Sequence, residues 1–386
     1  MNTPVIELPL HGRSCEACGI SNLRKVCEWS HVAVTRTRQW LFRNTITICE
    51  TCGFTFLSPC YAPADLTQYY SDSYARFGGQ ALDFSPEKRL AFIDSVLASR
   101  QRGPVKGVIE VGGNADTAFQ RGLGERFGVV SSYEPNAECG SDFADLGQAP
   151  ESSYDLLVHY FILEHIADVR GFLRECRRLL RGGGVMILEV PDLMLYPHDI
   201  SALILHEHCN HFTLENLAHL AALEGFELID SSSTLCSRSF GFAAAFERLP
   251  DGAELPGHVV RCFDRNLAAL DAGITRVTRF RELVEVTMDS LRCHPEWKVV
   301  LWGANDNLVK ALPQGQKLSN AILVDSDPRK IHYHQAFRAI LPSEALDALR
   351  EADKLILFTR LHAPAILDWI EHHAGRRFAD AVILDY

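Results

Sequence analysis

Four cysteines in two matched turns constrain this 386-residue chain more than any other feature. They lie in Cys15-Glu-Ala-Cys18-Gly and Cys49-Glu-Thr-Cys52-Gly. Each turn presents two thiolates from one short stretch of backbone, and the following glycine supplies the freedom a tight turn needs. Four sulfurs complete a tetrahedral zinc shell with no open position, so Cys15, Cys18, Cys49 and Cys52 read as a structural Zn2+ site. The chain has 12 cysteines. The other eight (Cys27, Cys60, Cys139, Cys176, Cys209, Cys236, Cys262 and Cys293) stand alone and read as small hydrophobes. Residues 1–15 lack the basic-then-apolar order of a signal peptide, so the chain reads as cytoplasmic and a disulfide framework is not expected.

At about 150 residues per domain the length predicts two or three domains. An apolar fraction of 47% and a charged fraction of 23% are those of a folded chain with more than one core. The net charge of −11 gives no general attraction to nucleic acid or anionic membrane. No run approaches the ~20 apolar residues of a spanning helix.

Beyond a zinc module of about 60 residues, residues 61–76 form a turn-rich bridge with four tyrosines, and Ser85 is placed to cap a helix opening at Pro86. From residue 106 strands and helices alternate. Residues 108–111 form a strand running into Gly112-Gly113-Asn114, residues 129–133 a second ending at Glu134, and residues 154–158 a third. A helix over 169–180, a Gly182-Gly183-Gly184 turn and a strand over 185–190 follow. This alternation predicts a parallel, doubly wound α/β sheet. A helix at 214–224 and strands at 226–229 and 240–246 complete it. A linker at 250–257 and a long helix at 258–293 lead to a second α/β pattern with strands at 299–302, 321–324 and 354–358. The expected domains are 1–84 (zinc module and bridge), 85–250 and 251–386.

Strand, Glu110-x-Gly112, loop, helix, and Glu134 at the end of the next strand make a nucleotide-cofactor pattern. The glycine admits backbone to the ligand, and the second carboxylate suits ribose hydroxyls. Glu110 suits an ammonium group better than a pyrophosphate, which favours S-adenosylmethionine over a dinucleotide. Asp142 and Phe143 fall where this fold meets the adenine. The segment His206-Glu207-His208-Cys209-Asn210-His211 admits three readings: a metal site from His206, His208 and His211, a histidine cluster without chemistry, or catalytic use of His208. His165 reads as a helix-start residue.

Residues 110–192 resemble class I methyltransferases. The whole chain resembles the three-part C-methyltransferases of deoxysugar pathways, in which a four-cysteine zinc domain and a C-terminal Rossmann-like α/β domain flank the cofactor domain. The resemblance rests on the Cys-x-x-Cys pairs, residues 108–117 and 163–180, Glu189-Val190-Pro191, His206-Glu207-His208…Phe212, and Leu301-Trp302-Gly303-Ala304…Val324-Asp325-Ser326-Asp327-Pro328-x-Lys330. It implies that Glu110, Gly112, Gly113, Asn114 and Glu134 hold S-adenosylmethionine. It also implies that His208 is the general base, Glu207 its neighbour, and Tyr74 the family tyrosine that reaches the site. A neutral imidazole suits removal of a proton α to a ketone. The implied substrate is a nucleotide-linked keto-deoxysugar methylated on carbon. The chain departs from the family at Asp116, where a small residue is usual, and at Leu205, where tyrosine is frequent. O- or N-methylation of another small secondary metabolite, or a methyltransferase-like binding protein without turnover, are the alternatives.

Overall fold

The computed structural model describes residues 5–34, 38–62, 64–66, 69, 85–100, 104–113, 117–135, 140–253, 260–313 and 316–385. The chain forms two compact units, Met1–Gly273 and Ile274–Tyr386.

The first unit opens with β1 (Val5–Glu7) and β2 (Leu10–His11), followed by a long hairpin of β3 (Leu23–Val34) and β4 (Gln39–Cys49), then β5 (Thr55–Leu57) and β6 (Cys60–Tyr61). Through its first half β4 alternates, and Trp40, Phe42, Asn44 and Ile46 are buried. That is the period-two pattern of a strand with one covered face. Each large apolar side chain so buried contributes roughly 1.5–3 kcal/mol. The cysteine spacing implies only a zinc module over this region. Its extended hairpin is a finding of the structure.

Helix α1 (Pro86–Ser99) begins where expected, but Ser85 makes no side-chain cap bond. It adopts φ 42 instead, and Pro86 at the first helical position sets the entry. Strands β7 (Val108–Val111), β8 (Val130–Tyr133), β9 (Tyr154–Tyr160) and β10 (Leu180–Pro191) then alternate with α2 (Ala118–Phe127) and α3 (Val169–Leu179). After β11 (Asn210–His211) come α4 (Leu214–Leu223), β12 (Phe226–Ser232) and β13 (Gly241–Arg248). The main sheet runs β12-β13-β10-β9-β7-β8. Strands β8, β7, β9 and β10 are parallel, and β13 is antiparallel to both β10 and β12.

Alternate residues of these strands feed two cores. Ile109, Leu157, Met186 and Leu188 pack with Leu173 of α3 and Leu217 of α4. Val108, Leu156, Val185 and Ile187 pack with Ile93 of α1 and Leu123 of α2. Helices on both faces explain why β10 reads as a nearly unbroken apolar run. The expected glycine turn at 182–184 is a strand irregularity instead. Leu180 pairs with Tyr154, the register shifts, and pairing resumes at Val185 with Leu156. Gly183 takes φ +75 there, the conformation that lets a bulge form without strain.

The long helix α5 (Phe263–Cys293) starts later than expected, residues 260–262 lying outside it. The second unit is a parallel sheet in the order β16-β15-β14-β17-β18, from β14 (Val299–Trp302), β15 (Ala321–Val324), β16 (Ala339–Ile340), β17 (Lys354–Leu357) and β18 (Val382–Ile383). Gly303 leaves β14 at φ +110, and the Ala304 N–H donates to Asp325 at the end of β15 (2.7 Å). Asn305 then caps the next helix. Among the described residues no helix is long and apolar enough to cross a membrane.

Candidate active site

At the C-terminal ends of β7 and β8 the backbone is stripped of bulk. Gly112 takes φ +75 and its N–H donates to the Tyr133 carbonyl (2.8 Å). A side chain on Gly113 would overlap the Glu110 carboxyl group, and one on Gly112 would overlap Ile162. Glu110 is buried at 6% exposure. Glu134 follows β8 directly and donates its N–H to Phe143 (3.1 Å). Asp142 accepts from the Ser132 N–H (2.8 Å) and hydroxyl (3.2 Å), so its carboxylate fastens the chain beside β8. Glu110, Gly112, Gly113, Glu134 and Phe143 therefore gather at the C-terminal ends of β7 and β8, the end at which α/β sheets bind ligands. A small-residue cradle with one buried and one half-buried carboxylate fits a cationic, ribose-bearing ligand. Asn114 and Asp116 lie outside the described residues.

The His-Glu-His segment is held by several distant parts of the chain. The Asn44 side chain on β4 donates to the His206 carbonyl (3.0 Å), and the rings of His31 and Phe42 lie 4.8 and 4.4 Å from the His206 ring. The Tyr69 hydroxyl donates to Glu207, so His206 Nε2 donates to the Tyr69 oxygen (2.8 Å). Burial works against the Glu207 carboxylate. The hydrogen bond and charge of His206, the charge of His165 and the Tyr69 bond outweigh it and hold the group well below the usual carboxylate range. Tyr74 lies outside the described residues. Among the described residues Tyr69, another tyrosine of the same bridge, reaches the segment, and its position in a four-tyrosine run was its sequence signal.

His208 is 4% exposed. Its Nδ1 lies 2.8 Å from the Ala202 carbonyl. A carbonyl can only accept, so Nδ1 carries the proton and Nε2 is the basic nitrogen of the neutral ring. Burial, reinforced by the charges of His165 and His211, pushes the His208 pKa well below its ordinary value. Nε2 lies 4.0 Å from Glu164, a carboxyl group 1% exposed whose pKa burial raises to about 8. The rings of His165 and His208 meet edge to face at 4.8 Å. His206, His208 and His211 do not converge on one point: His206 turns to Tyr69, His208 to Ala202, and His211 Nδ1 to the Tyr196 hydroxyl (2.6 Å).

Behind the segment, β11 joins the cysteine-rich sheet, with Asn210 opposite Phe56 and His211 opposite Thr55. The Asn210 amide donates to the carbonyls of Leu163 (3.2 Å) and Ile166 (2.7 Å), and its oxygen accepts from Arg13 (3.0 Å). Arg13 also reaches the Ala167 carbonyl (2.6 Å) and Glu16 (2.7 Å).

The donor atoms of Cys15, Cys18, Cys49 and Cys52 lie within 4.8 Å of one another. The closest sulfur pairs, Cys15–Cys52 and Cys18–Cys49, are 3.4 and 3.5 Å apart. A tetrahedral shell with ~2.3 Å bonds separates its sulfurs by about 3.8 Å, so the donor set fits zinc. The turns are bonded into the main α/β body. His219 of α4 reaches the Ala17 carbonyl (2.9 Å), Asn266 of α5 donates to the Gly53 carbonyl (2.9 Å), and the Cys262 N–H donates to Cys52 (3.1 Å). Of the lone cysteines, Cys60, Cys176, Cys209 and Cys236 are buried as expected, Cys293 is exposed, and Cys139 lies outside the described residues.

Residues 71–231 match a family model described as a methyltransferase domain. A probable S-adenosylmethionine-dependent methyltransferase of Mycolicibacterium smegmatis is 29% identical over 82 residues, 21% of this chain and 32% of that protein. One of Mycobacterium tuberculosis is 30% identical over 77 residues, 20% and 28% of the two chains. The matched stretch thus spans about a third of these relatives. Among solved structures, a Burkholderia thailandensis 1,6-didemethyltoxoflavin-N1-methyltransferase with bound S-adenosylhomocysteine aligns at 15% identity and a TM-score of 0.38, over 51% of this chain and 96% of that one. A Mesorhizobium loti S-adenosylmethionine-dependent methyltransferase aligns at 14% and 0.31, over 38% and 92%. Residues 71–231 thus match a methyltransferase domain, and the main sheet, whose strands run from Val108 to Arg248, has the class I methyltransferase Rossmann-like order; in the chain a cysteine-rich sheet precedes it and a second α/β unit follows.

Proposed function

We propose that this protein is an S-adenosylmethionine-dependent methyltransferase acting on a small molecule, with carbon α to the ketone of a nucleotide-linked deoxysugar as the acceptor. S-adenosylmethionine, when bound, supplies a methyl group on a sulfonium, an electrophile that requires a deprotonated acceptor. Glu110 would meet its ammonium group and Glu134 its ribose, with Gly112, Gly113 and Asn114 giving backbone access. Asp142 would act by fixing the loop that carries Phe143. Zn2+ on the four cysteines would be structural. Tyr74 would hydrogen-bond the acceptor carbonyl.

The observation that carries this reading is the committed Nδ1 of His208, which leaves Nε2 as a fixed base in a site from which water is largely excluded. Glu207, kept ionised beside it, would favour the imidazolium formed when the proton is taken. The test is incubation of enzyme, cofactor and candidate nucleotide-sugars in deuterated water. Exchange of the α-proton by wild type but not by His208→Ala, with methyl transfer lost in the same variant, is the expected result. No exchange with any ketosugar, together with methylation of another acceptor class, would overturn the carbon assignment.

One observation favours a second reading. Burial makes His208 a weaker base than ordinary histidine, which suits an O–H or N–H acceptor more acidic than a ketone α-carbon. The same exchange experiment separates the two readings.

A further inference from the structure

We propose that Glu164, His165 and His208 form a binding site for one divalent transition-metal cation, separate from the cysteine cluster. Their donor atoms lie within 4.8 Å of one another. The Nε2 atoms of His165 and His208 each stand 4.0 Å from Glu164 Oε1.

Glu164 anchors the site. Its carboxyl group is buried, and neither oxygen has a hydrogen-bond partner among the described residues. Buried carboxylates without hydrogen bonds are costly and are normally paired or bound to a cation. Two imidazole nitrogens of the kind that bind metal stand 4.0 Å from the carboxyl group, which also feels the charge of the Arg238 guanidinium. His208 gives its Nδ1 proton to the Ala202 carbonyl (2.8 Å), which leaves the Nε2 lone pair directed at Glu164. His165 turns Nδ1 toward the Glu207 carboxylate (3.9 Å) and Nε2 toward Glu164. The Ala202 carbonyl behind His208 is the outer-shell contact that fixes a ligating imidazole, and a hydrogen bond with the Glu207 backbone holds His165.

The frame is built to hold the set. The Cys209 N–H donates to the Glu164 carbonyl (2.7 Å), and Asn210 binds the carbonyls on either side, Leu163 and Ile166. The His165 side chain is 23% exposed, which gives a cation a way in. Two imidazoles and one carboxylate suit zinc, cobalt, nickel or ferrous iron rather than calcium or magnesium, and they leave coordination positions open. This goes beyond the proposed methyl transfer. The cation would occupy the nitrogen assigned as base, so a loaded site and an available base exclude each other, and loading would suppress imidazole-dependent turnover.

The experiment takes full-length protein carrying one Zn2+ per chain and titrates it with Co2+. X-ray absorption at the cobalt edge then reads the second site without interference from zinc. Binding of one Co2+ with a nitrogen and oxygen shell, outer-shell scattering from two imidazoles and no sulfur is the expected result. Glu164→Gln and His165→Ala should each weaken Co2+ binding by more than about tenfold while keeping zinc. No Co2+ binding, a sulfur shell, or unchanged affinity in both variants would overturn the proposal. These readouts need no turnover, so failure of the methyl-transfer reading alone leaves them intact.

Discussion

Two neighbouring regions at the C-terminal end of the main sheet, the glycine-loop end and the histidine end, are assembled in opposite ways. At the glycine-loop end, Glu110, Gly112, Gly113 and Glu134 come from one strand–loop–helix–strand stretch, and the contacts that shape it are local. At the histidine end, Tyr69, Glu164, His165 and the 206–208 segment are brought together by a sheet whose other strands lie far away in sequence. Arg13 and Asn210, bonded at 3.0 Å, are 197 residues apart. A contiguous site is fixed by its own backbone conformation. A distributed one depends on the parts that hold it, here the cysteine turns and the β3–β4 hairpin. The two ends should therefore respond to different changes.

The largest expected effect is at the histidine end. His208→Ala should lower the methyl-transfer rate by about 10²–10⁴-fold and leave S-adenosylhomocysteine affinity within about threefold, about 0.65 kcal/mol, in a calorimetric titration. Loss of both together would break the separation. Cys52→Ser tests the distributed support. It should release zinc and lower both the thermal midpoint and the methyl-transfer rate, the rate by at least about tenfold, with a smaller change in cofactor affinity. An intact thermal midpoint in the zinc-free variant would show that the turns do not hold the segment.

Gly113→Ala is the converse at the contiguous end. The added methyl group would overlap the Glu110 carboxyl, so S-adenosylhomocysteine affinity should fall by about tenfold or more, about 1.4 kcal/mol. α-Proton exchange chemistry at saturating cofactor should change little. Asn210→Ala removes the bonds to Leu163 and Ile166. It should cost about 1–3 kcal/mol of stability, measured by urea unfolding, and reduce turnover without altering cofactor affinity.

These differences in construction also decide what could be read from the sequence. The strand order from residue 108 to 190 was legible because alternating strands and helices, with both strand faces buried, leave a clear pattern. The cysteine pairs were legible because metal chemistry fixes their spacing. Tyr69 could not be singled out, because the bridge has no periodicity to say which rings turn inward. His165 reads as a helix-start residue and Glu164 carries no signal of its own; the folding of β11 onto β5 holds the segment that sets His208 against them. The β3–β4 hairpin left no clean alternation in the sequence, because Leu41 puts an apolar residue on the outer face of β4 and Asn44 a polar one on its covered face.

The smallest expected effect concerns the sheet that both ends share. His159 in β9 is fully buried, and burial lowers its pKa to about 3. The unfolded chain takes up the proton near the ordinary value of 6.5, whereas the folded one does not until about 3. Stability is therefore complete above pH 6.5 and falls as the pH drops toward 3, by at most about 1.4 kcal/mol per pH unit for this group. His159→Leu should flatten that slope in urea midpoints measured at pH 7 and 5. A residual slope from His211, held down to about 3 in the same way, should remain.

The most direct measurement is a calorimetric titration of the purified full-length protein with S-adenosylmethionine and S-adenosylhomocysteine, alongside a zinc assay. Saturable binding of both at one per chain, with one tightly held zinc, is the predicted result. Zinc without saturable binding of either ligand would contradict the account and leave a methyltransferase fold without methyltransferase chemistry.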